Sequence, residues 1–567
     1  MKAAVDVIVA IRSNFFYTRT VPCEVWHIDR GKPAERQDEV LMIDAGRHLP
    51  QSYPQIYDFS PEQLKQQPGA LSPTRVAADP STHGPKLDLS QAARRRSRGS
   101  GTIRMTCSPN ESFVSRGARL LMMLGKTTGT SGALQLELYE TVTHELQPRR
   151  SNTMSTFADN LSLPIHRWFR YSAGFSAIWA RQLIEREKAN GRRTVLDPFV
   201  GSGTTVIEAE AAGLPSIGIE AHPFVARIAR AKLLWRTKAS ELRKFANAVL
   251  ERGMAADRRT RSNKAPKTPK LLNQCFPPDV LSRLLSLRGA WSELHDRTPA
   301  SELTWLALMA ILRECSPVGT AQWQYVLPNR TKARTIDPFI AFGTKVAMFA
   351  ADIERRQGLS HGPQGQVRQE DARWCQSVQT ASTDLVITSP PYANNYDYAD
   401  ATRLEMTFAG EIDGWGDLQQ SVRQYLIRSC SQHVAPISSE TEEILTAPLL
   451  QPIRAEIAEV CRQLSIEREQ HGGKKTYHTM VAAYFSDMAR MWVSLRRVSS
   501  AGVLVCFVVG DSAPYGIYVP VDRWFGILAL AAGFHSFRFE KTRDRNIKWK
   551  NRKHRVPLHE GRLWVEG

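Results

Sequence analysis

Residues Asp384–Tyr392 read D-L-V-I-T-S-P-P-Y, a set of residue types suited to chemistry on a planar ring that carries an amino group. Leu385–Thr388 predicts a short buried strand running into a stiff polar turn. Two consecutive prolines fix φ at both positions and bias Ser389 toward an extended backbone. Neither Pro390 nor Pro391 has an N–H, so the turn presents carbonyls, with Tyr392 held rigidly beside them. The Ser389 hydroxyl and the Pro390 carbonyl can accept from an exocyclic NH₂ while Tyr392 stacks on the ring face. A proline-rich loop at a strand end would use the same residues only to turn the chain. A second stretch decides between the two readings.

That stretch begins at Thr194–Leu196, which predicts a strand leading into D-P-F-V-G-S-G-T-T (Asp197–Thr205) and a helix over Val206–Ala212. Gly213-Leu214-Pro215 stops the helix, and Ser216–Ile219 predicts a second strand tipped by Glu220. Strand, glycine turn, helix, strand and acid follow the logic of nucleotide-binding βαβ units. Gly201 and Gly203 allow close approach of the backbone to a ligand, and the helix start supplies free N–H groups. Glu220 lies 17 residues beyond Gly203, where a carboxylate reaches ribose hydroxyls. A lone G-x-G is a weak signal, whereas this motif with an acid-tipped second strand is a specific one.

The elements that must position these residues belong to a chain of 567 residues, enough for about two to four domains. Residues 1–66 hold three β-rich runs (Val5–Ile11, Cys23–Ile28 and Val40–Ile43) and a helix start at Ser60-Pro61. Residues 67–112 are rich in Pro, Ser, Gly and Ala and include A-R-R-R-S-R-G-S-G, which predicts a flexible basic linker. Residues 113–235 form an aromatic lead-in, mostly helical to residue 190, and the glycine-motif half of an α/β domain. A helical, basic insertion over 236–360 follows, with helices around Val280–Leu294 and Glu302–Cys315. The α/β pattern resumes over 361–567, with a helical insertion at 400–470, a long helix at Tyr477–Val498 and an apolar strand at Gly502–Val509. A C-terminal hairpin, Phe534–Glu540 with Arg562–Val565, closes the sheet.

Between its arms lies K-T-R-D-R-N-I-K-W-K-N-R-K-H-R, with eight Lys/Arg against one Asp. Arg543, Arg545, Lys548, Lys550, Arg552 and Lys553 suit phosphate contact, and Trp549 suits base stacking. The whole chain points the same way, with 75 Lys+Arg against 56 Asp+Glu, a net charge of +19 and a pI near 9.7. Such an excess favours a polyanion partner. No apolar run approaches the roughly 18 residues of a membrane span. The eight cysteines are scattered, with no C-x-x-C and no pairing at zinc spacing with a histidine pair. That pattern predicts a reducing cytoplasm, no disulfides and no metal. Pro22-Cys23 is superficially similar to the nucleophile dipeptide of cytosine-C5 methyltransferases but lacks the accompanying acidic motif.

Residues 164–567 resemble the DNA amino-methyltransferases, which use S-adenosylmethionine to methylate exocyclic nitrogens of cytosine or adenine. S-A-G-F-S around Phe175 is similar to the family's aromatic motif, D-P-F-V-G-S-G-T-T to its glycine motif and Glu220 to its ribose-binding acid. V-R-Q-E-D-A-R places Asp371 where the family holds the cofactor's adenine, T-S-P-P-Y is similar to its catalytic motif, and N-N-Y-D-Y-A-D follows. The resemblance implies cofactor binding by Phe175, Asp197, Phe199, Gly201, Gly203, Thr204, Thr205, Glu220 and Asp371, and catalysis by Ser389, Pro390, Pro391 and Tyr392. It also implies a Rossmann-like α/β methyltransferase fold with a mostly parallel sheet and helical insertions. The separation of Glu220 and Asp371 by 150 residues departs from the family pattern. Residues 1–66 resemble the late part of a type I restriction–modification adenine methylation subunit in N-F-F-Y-T-R-T-V-P, W-H-I-D-R-G-K and V-L-M-I-D-A-G. They carry no cofactor motif of their own.

An exocyclic amine is a poor nucleophile because its lone pair is delocalised into the ring. Acceptors at Ser389 and Pro390 favour sp³ character and free that lone pair, so catalysis is positioning plus hydrogen bonding in the transition state. Ser at the head of S-P-P-Y leans toward cytosine N4 in the resembling family, where Asp or Asn is usual for adenine. The expected activity is therefore N4 methylation of cytosine in duplex DNA, with base flipping and a partner restriction nuclease in a defence system. Adenine N6, guanine N2 of structured RNA, and a non-catalytic DNA-binding component of a defence system are the alternatives.

Overall fold

The computed structural model describes residues from Phe157 onward, except 172–173, 261–267, 321–325, 332–334, 395 and 546–555. Of the first 156 residues it describes six short strands. The chain divides into two compact units, Met1–Gln147 and Pro148–Gly567. In the first unit, Val5–Ile11 pairs antiparallel with Cys23–Ile28 and parallel with Leu41–Asp44. Ile103–Met105 adds a strand along Val25–His27. The linker reading of 67–112 is thus corrected at these three residues, whose backbone groups complete a sheet edge rather than stay solvated. The helix start expected at Ser60 lies outside the described residues.

The second unit is built on one seven-stranded sheet. Its strands are β1 (Val195–Asp197), β2 (Ser216–Glu220), β3 (Gln366–Gln369), β4 (Thr383–Thr388), β5 (Ser499–Gly510), β6 (Ser536–Arg545) and β7 (Leu558–Glu566). Their spatial order is β3-β2-β1-β4-β5-β7-β6. The first five run parallel, and β7 lies antiparallel to both β5 and β6. The sheet is therefore mostly parallel, as the resemblance implied. Central strands read as unbroken apolar runs because helices cover both faces. Leu385, Val386 and Ile387 of β4 are fully buried, as are Val505, Cys506 and Phe507 of β5. The chain order reverses between β1 and β4, which leaves a crevice at their carboxyl ends. Both sequence motifs leave the sheet there.

Helices α1 (Ala177–Ala189), α2 (Thr204–Ala212) and α3 (Pro223–Lys232) flank the glycine-motif half. The 236–360 segment forms α4 (Ala239–Thr260), α5 (Pro278–Leu294), α6 (Pro299–Cys315) and α7 (Pro338–Gln357). These helices pack into the core of the unit. Trp305, Phe342 and Phe349 share one core with Phe224 of α3 and Trp168 of the lead-in, and Trp168 stacks on Phe349 at 4.5 Å. Asp352 of α7 accepts from Trp168 Nε1 at 2.9 Å and from Arg167 at 2.6 and 3.0 Å. The lead-in read as mostly helical contains two 3₁₀ turns, Phe157–Leu161 and His166–Trp168, before α1 begins. Its aromatic side chains face a neighbouring helix rather than a helical stripe of their own.

On the other side, α8 (Arg454–Gln470), α9 (Tyr477–Val498) and α10 (Val521–Ala531) pack over β4, β5 and β7. Trp492 of α9 stacks on Phe507 of β5 at 4.6 Å. The C-terminal hairpin is longer than Phe534–Glu540 suggested, since β6 runs on through Lys541, Arg543 and Arg545 to pair with Leu558–Glu560. The first third of the basic run is therefore strand, not loop. Thr542 Oγ1 donates to the Glu560 carbonyl, and Arg543 pairs with the Glu560 carboxylate. Among the described residues no helix is long and apolar enough to cross a membrane.

Candidate active site

The glycine loop between β1 and α2 is held by two carboxylates. Asp197 Oδ1 accepts from Phe199 N at 3.0 Å and from the Thr388 hydroxyl, while Oδ2 accepts from Thr205 Oγ1 at 2.5 Å. Asp197 and Thr205 thus brace the loop from inside and tie it to the last residue of β4. Burial pushes the Asp197 carboxyl up to about 6, against the pull of its three donors. Glu220 Oε2 accepts from Gly201 N at 3.0 Å and Oε1 from His222 N at 2.8 Å. Burial, with a smaller contribution from Asp197, pushes Glu220 up to about 7. Two residues on, burial drives the His222 imidazole down to about 3, so it stays neutral and pairs through Nε2 with Thr402 Oγ1 at 2.9 Å.

Gly203 caps α2 at φ 96°, in the left-handed region, with no side chain over the helix start. The first N–H groups of the helix, from Thr204 on, therefore have no capping side chain. Gly201, at φ 52°, lies so close to Tyr171 that an added Cβ would stand 3.4 Å from its Cε1. Tyr171, four residues before Phe175, is the aromatic that lies against this loop. Phe175 is 3% exposed. Its ring packs edge-on to Trp179 at 5.3 Å, in a core with Val195, Leu385 and Ile387. Phe199 is half-buried against the opposite face of the sheet.

Asp371 follows β3, whose next residue donates to the Glu220 carbonyl at 3.2 Å. Its carboxylate accepts from Arg373 N at 2.9 Å and Arg373 Nε at 2.8 Å. Arg373 also reaches Asp487 of α9 at 3.1 Å, and Asp487 is held by Arg428. The structure thus brings Asp197, Phe199, Gly201, Gly203, Thr204, Thr205, Glu220 and Asp371 to the carboxyl ends of β1, β2 and β3, and leaves Phe175 in the core.

The S-P-P-Y turn leaves β4 beside this loop. Ser389 Oγ donates to the Val508 carbonyl of β5 at 3.1 Å. With its proton directed there, the oxygen is left to accept, and it also shares a hydrogen bond with the Tyr392 phenol. Tyr484 of α9 donates its hydroxyl to the Pro391 carbonyl at 2.8 Å, which fixes the turn from below. No protein donor among the described residues meets the Pro390 carbonyl. Tyr392 is half-buried, and burial raises its phenol well above the usual range. Arg545, the last residue of β6, holds its guanidinium 5.2 Å from the Tyr392 ring centroid. It donates to the Asp511 carbonyl at 2.8 Å, in space that a Cβ on Gly510 would fill. Arg543 is instead engaged with both Glu560 oxygens at 2.9 Å. Lys548, Trp549, Lys550, Arg552 and Lys553 lie outside the described residues.

The arrangement offers two adjoining subsites. One has backbone N–H groups and two carboxylates, suited to a ribose and a zwitterionic tail. The other has fixed acceptors beside an aromatic plane, suited to a flat amine. Residues 140–231 match a family model for DNA methylases of the N6/N4 type. The chain is 23% identical over 429 residues to the type II methyltransferase M.BsoBI of Geobacillus stearothermophilus, an alignment covering 69% of this chain and 82% of that protein. It is 24% identical over 407 residues to the type II methyltransferase M.AvaI of Nostoc sp. and of Anabaena variabilis, covering 68% of this chain and 82% of each. No solved structure matches. These relatives are type II enzymes, and the likeness of residues 1–66 to a type I subunit draws no support from them.

Proposed function

From the premise that this chain is a DNA methyltransferase of the N4/N6 amino type, we propose that it methylates the N4 amine of cytosine in duplex DNA within a restriction–modification system. The observation that carries methylation of an exocyclic amine is the pair of acceptors at the head of the turn; Ser389 as the first residue of S-P-P-Y supports cytosine over adenine. Ser389 is anchored by donating to Val508, and the Pro390 carbonyl meets no protein donor. Both can then take hydrogen bonds from one exocyclic amine and localise its lone pair on nitrogen. Tyr392 supplies the face on which a base rotated out of the stack rests.

The cofactor that fits the glycine-loop subsite is S-adenosylmethionine, which supplies an activated methyl on a sulfonium. The α2 N-terminus, Gly201 and Gly203 would approach its polar tail, Glu220 its ribose hydroxyls and Asp371 its adenine. Asp197, Thr205 and Thr388 would hold the loop fixed while it does so. The amine loses a proton as the new N–C bond forms, and Ser389 and the Pro390 carbonyl hold the departing hydrogen until water takes it. Arg545 lies on the same side of the site as Tyr392, so its charge is available to a phosphate flanking the flipped base.

The decisive experiment incubates the full-length protein with labelled S-adenosylmethionine and mixed-sequence duplex DNA, then analyses nucleosides by mass spectrometry. The expected product is N4-methylcytosine. Methyladenine alone would overturn the base assignment and keep the mechanism. Transfer to tRNA but not to DNA would move the substrate to RNA, and absence of cofactor binding in calorimetry would overturn the enzymatic reading.

A further inference from the structure

Just past the S-P-P-Y turn the chain doubles back and brings three metal-binding residue types together. Asn394, at φ 56°, reverses the backbone, and its N–H donates to the Ser429 carbonyl at 2.7 Å. This pairing sets Asp397 against the segment that carries Cys430 and His433. One ligand atom from each of the three lies within 4.8 Å of the other two. Each residue is 5% exposed.

The surroundings orient these atoms as a metal site would. His433 Nδ1 faces the Ile427 carbonyl at 3.0 Å, which holds one proton on Nδ1 and makes Nε2, aimed at Asp397 Oδ1, the nitrogen that can exchange its proton for a metal. Ring-nitrogen to carbonyl bonds of this kind fix the tautomer of metal-bound histidines. Arg423 grips one oxygen of Asp397, Oδ2, from Nε at 2.9 Å and Nη2 at 2.6 Å, so that Oδ1, which also accepts from Ala399 N at 3.1 Å, is the oxygen facing His433. His433 Nε2 and Asp397 Oδ1 stand 3.3 Å apart. That is long for a hydrogen bond. It equals the separation of two donors on a tetrahedral ion with bonds of about 2.0 Å, which is about 3.3 Å. Cys430 and His433 are spaced C-x₂-H, a separation short enough for one turn of chain to serve one ion.

We propose that Asp397, Cys430 and His433 bind a single divalent transition-metal ion, zinc by its mixed N, O and S donors. On binding, the Cys430 thiol and His433 Nε2 each give a proton to solvent, and the sulfur and the ring nitrogen form the metal bonds. The ion's two positive charges are then met by one thiolate and one carboxylate, so the buried shell is neutral. Water completes a tetrahedron. The ion pins the loop that follows the catalytic turn to residues 427–433, a positioning role that needs no part in the chemistry. It stands whether or not the base assignment above is right. Without an ion, the same residues would form only a closed Arg423–Asp397–His433 ion-pair network with Cys430 beside it.

Elemental analysis of the full-length protein, purified without metal-chelating resin and dialysed, is expected to find about one zinc per chain. Exchange into cobalt(II) is expected to give a near-ultraviolet thiolate-to-cobalt band, absent in Cys430→Ser. His433→Gln is expected to lower metal content, with circular dichroism confirming that the chain is folded. A wild-type protein that takes up no zinc or cobalt overturns the site, as does a cobalt form without the thiolate band. Undiminished metal in Cys430→Ser would place the ion elsewhere and overturn it equally. Should either variant fail to fold, the wild-type cobalt spectrum decides alone.

Discussion

Ser389 and Tyr484 make different demands on the same turn, and their substitution separates them. On the role proposed for Ser389, Ser389→Ala removes an acceptor used only as the amine rehybridises, so turnover should fall by about 10²–10³ with cofactor affinity unchanged in calorimetry. Tyr484→Phe tests the support beneath the turn. It strips the Pro391 carbonyl of its donor and should cost about 1–3 kcal/mol of stability, measured by denaturant melts, together with a fall in kcat. Glu220 gives the site a pH signature. Its folded pKa is raised from 4.5 to about 7, so the unfolded chain gives up this proton first as pH rises. The favourable contribution of the neutral acid is complete below pH 4.5 and is lost on approaching pH 7. The melting temperature of the wild type should therefore fall across that window relative to Glu220→Gln, and a parallel pair of curves would contradict it. S-adenosylmethionine affinity should move oppositely, rising through about pH 7 as the carboxylate forms.

At the level of elements, much was legible because local signals and tertiary demands agreed. D-P-F-V-G-S-G-T-T announced a strand, a turn and a helix, and β1, the loop and α2 occupy those positions. Tyr477–Val498 was readable as one helix to the residue. What sequence could not show is which side chains meet across the fold. Thr388 bonding Asp197, Tyr171 against Gly201 and Tyr484 beneath Pro391 span distances along the chain that no periodicity records. Phe175 illustrates the converse, since an aromatic in a motif has the same letter whether it faces a ligand or the core. The Asp397, Cys430 and His433 cluster was invisible because one of its members lies 33 residues from the next. Gly218 is a point where elements touch too closely for a side chain. A Cβ there would stand 2.6 Å from Val200 Cγ2. Gly218→Ala should push β2 and the glycine loop apart, costing about 1–3 kcal/mol and weakening cofactor binding in calorimetry.

Across the whole molecule, charge and topology act together. A net charge of +19 should make DNA binding steeply dependent on salt. If six to ten phosphates are contacted, affinity should drop by about 10³–10⁵ between roughly 50 and 200 mM salt. Arg545→Ala should shallow that slope more than Arg543→Ala, whose charge Glu560 already meets. Fluorescence anisotropy on duplex DNA measures both. The sheet order, finally, has a thermodynamic corollary. The crossover between β1 and β4 lets one carboxylate, Asp197, serve the glycine loop through Thr205 and the end of β4 through Thr388. Two ligands that press on opposite sides of one shared group are linked. Whatever factor the methyl donor applies to the affinity for DNA, DNA must apply the same factor to the affinity for the methyl donor. Asp197 is then a point of reciprocity as well as a brace, and its replacement by Asn should draw that factor toward one from both directions at once.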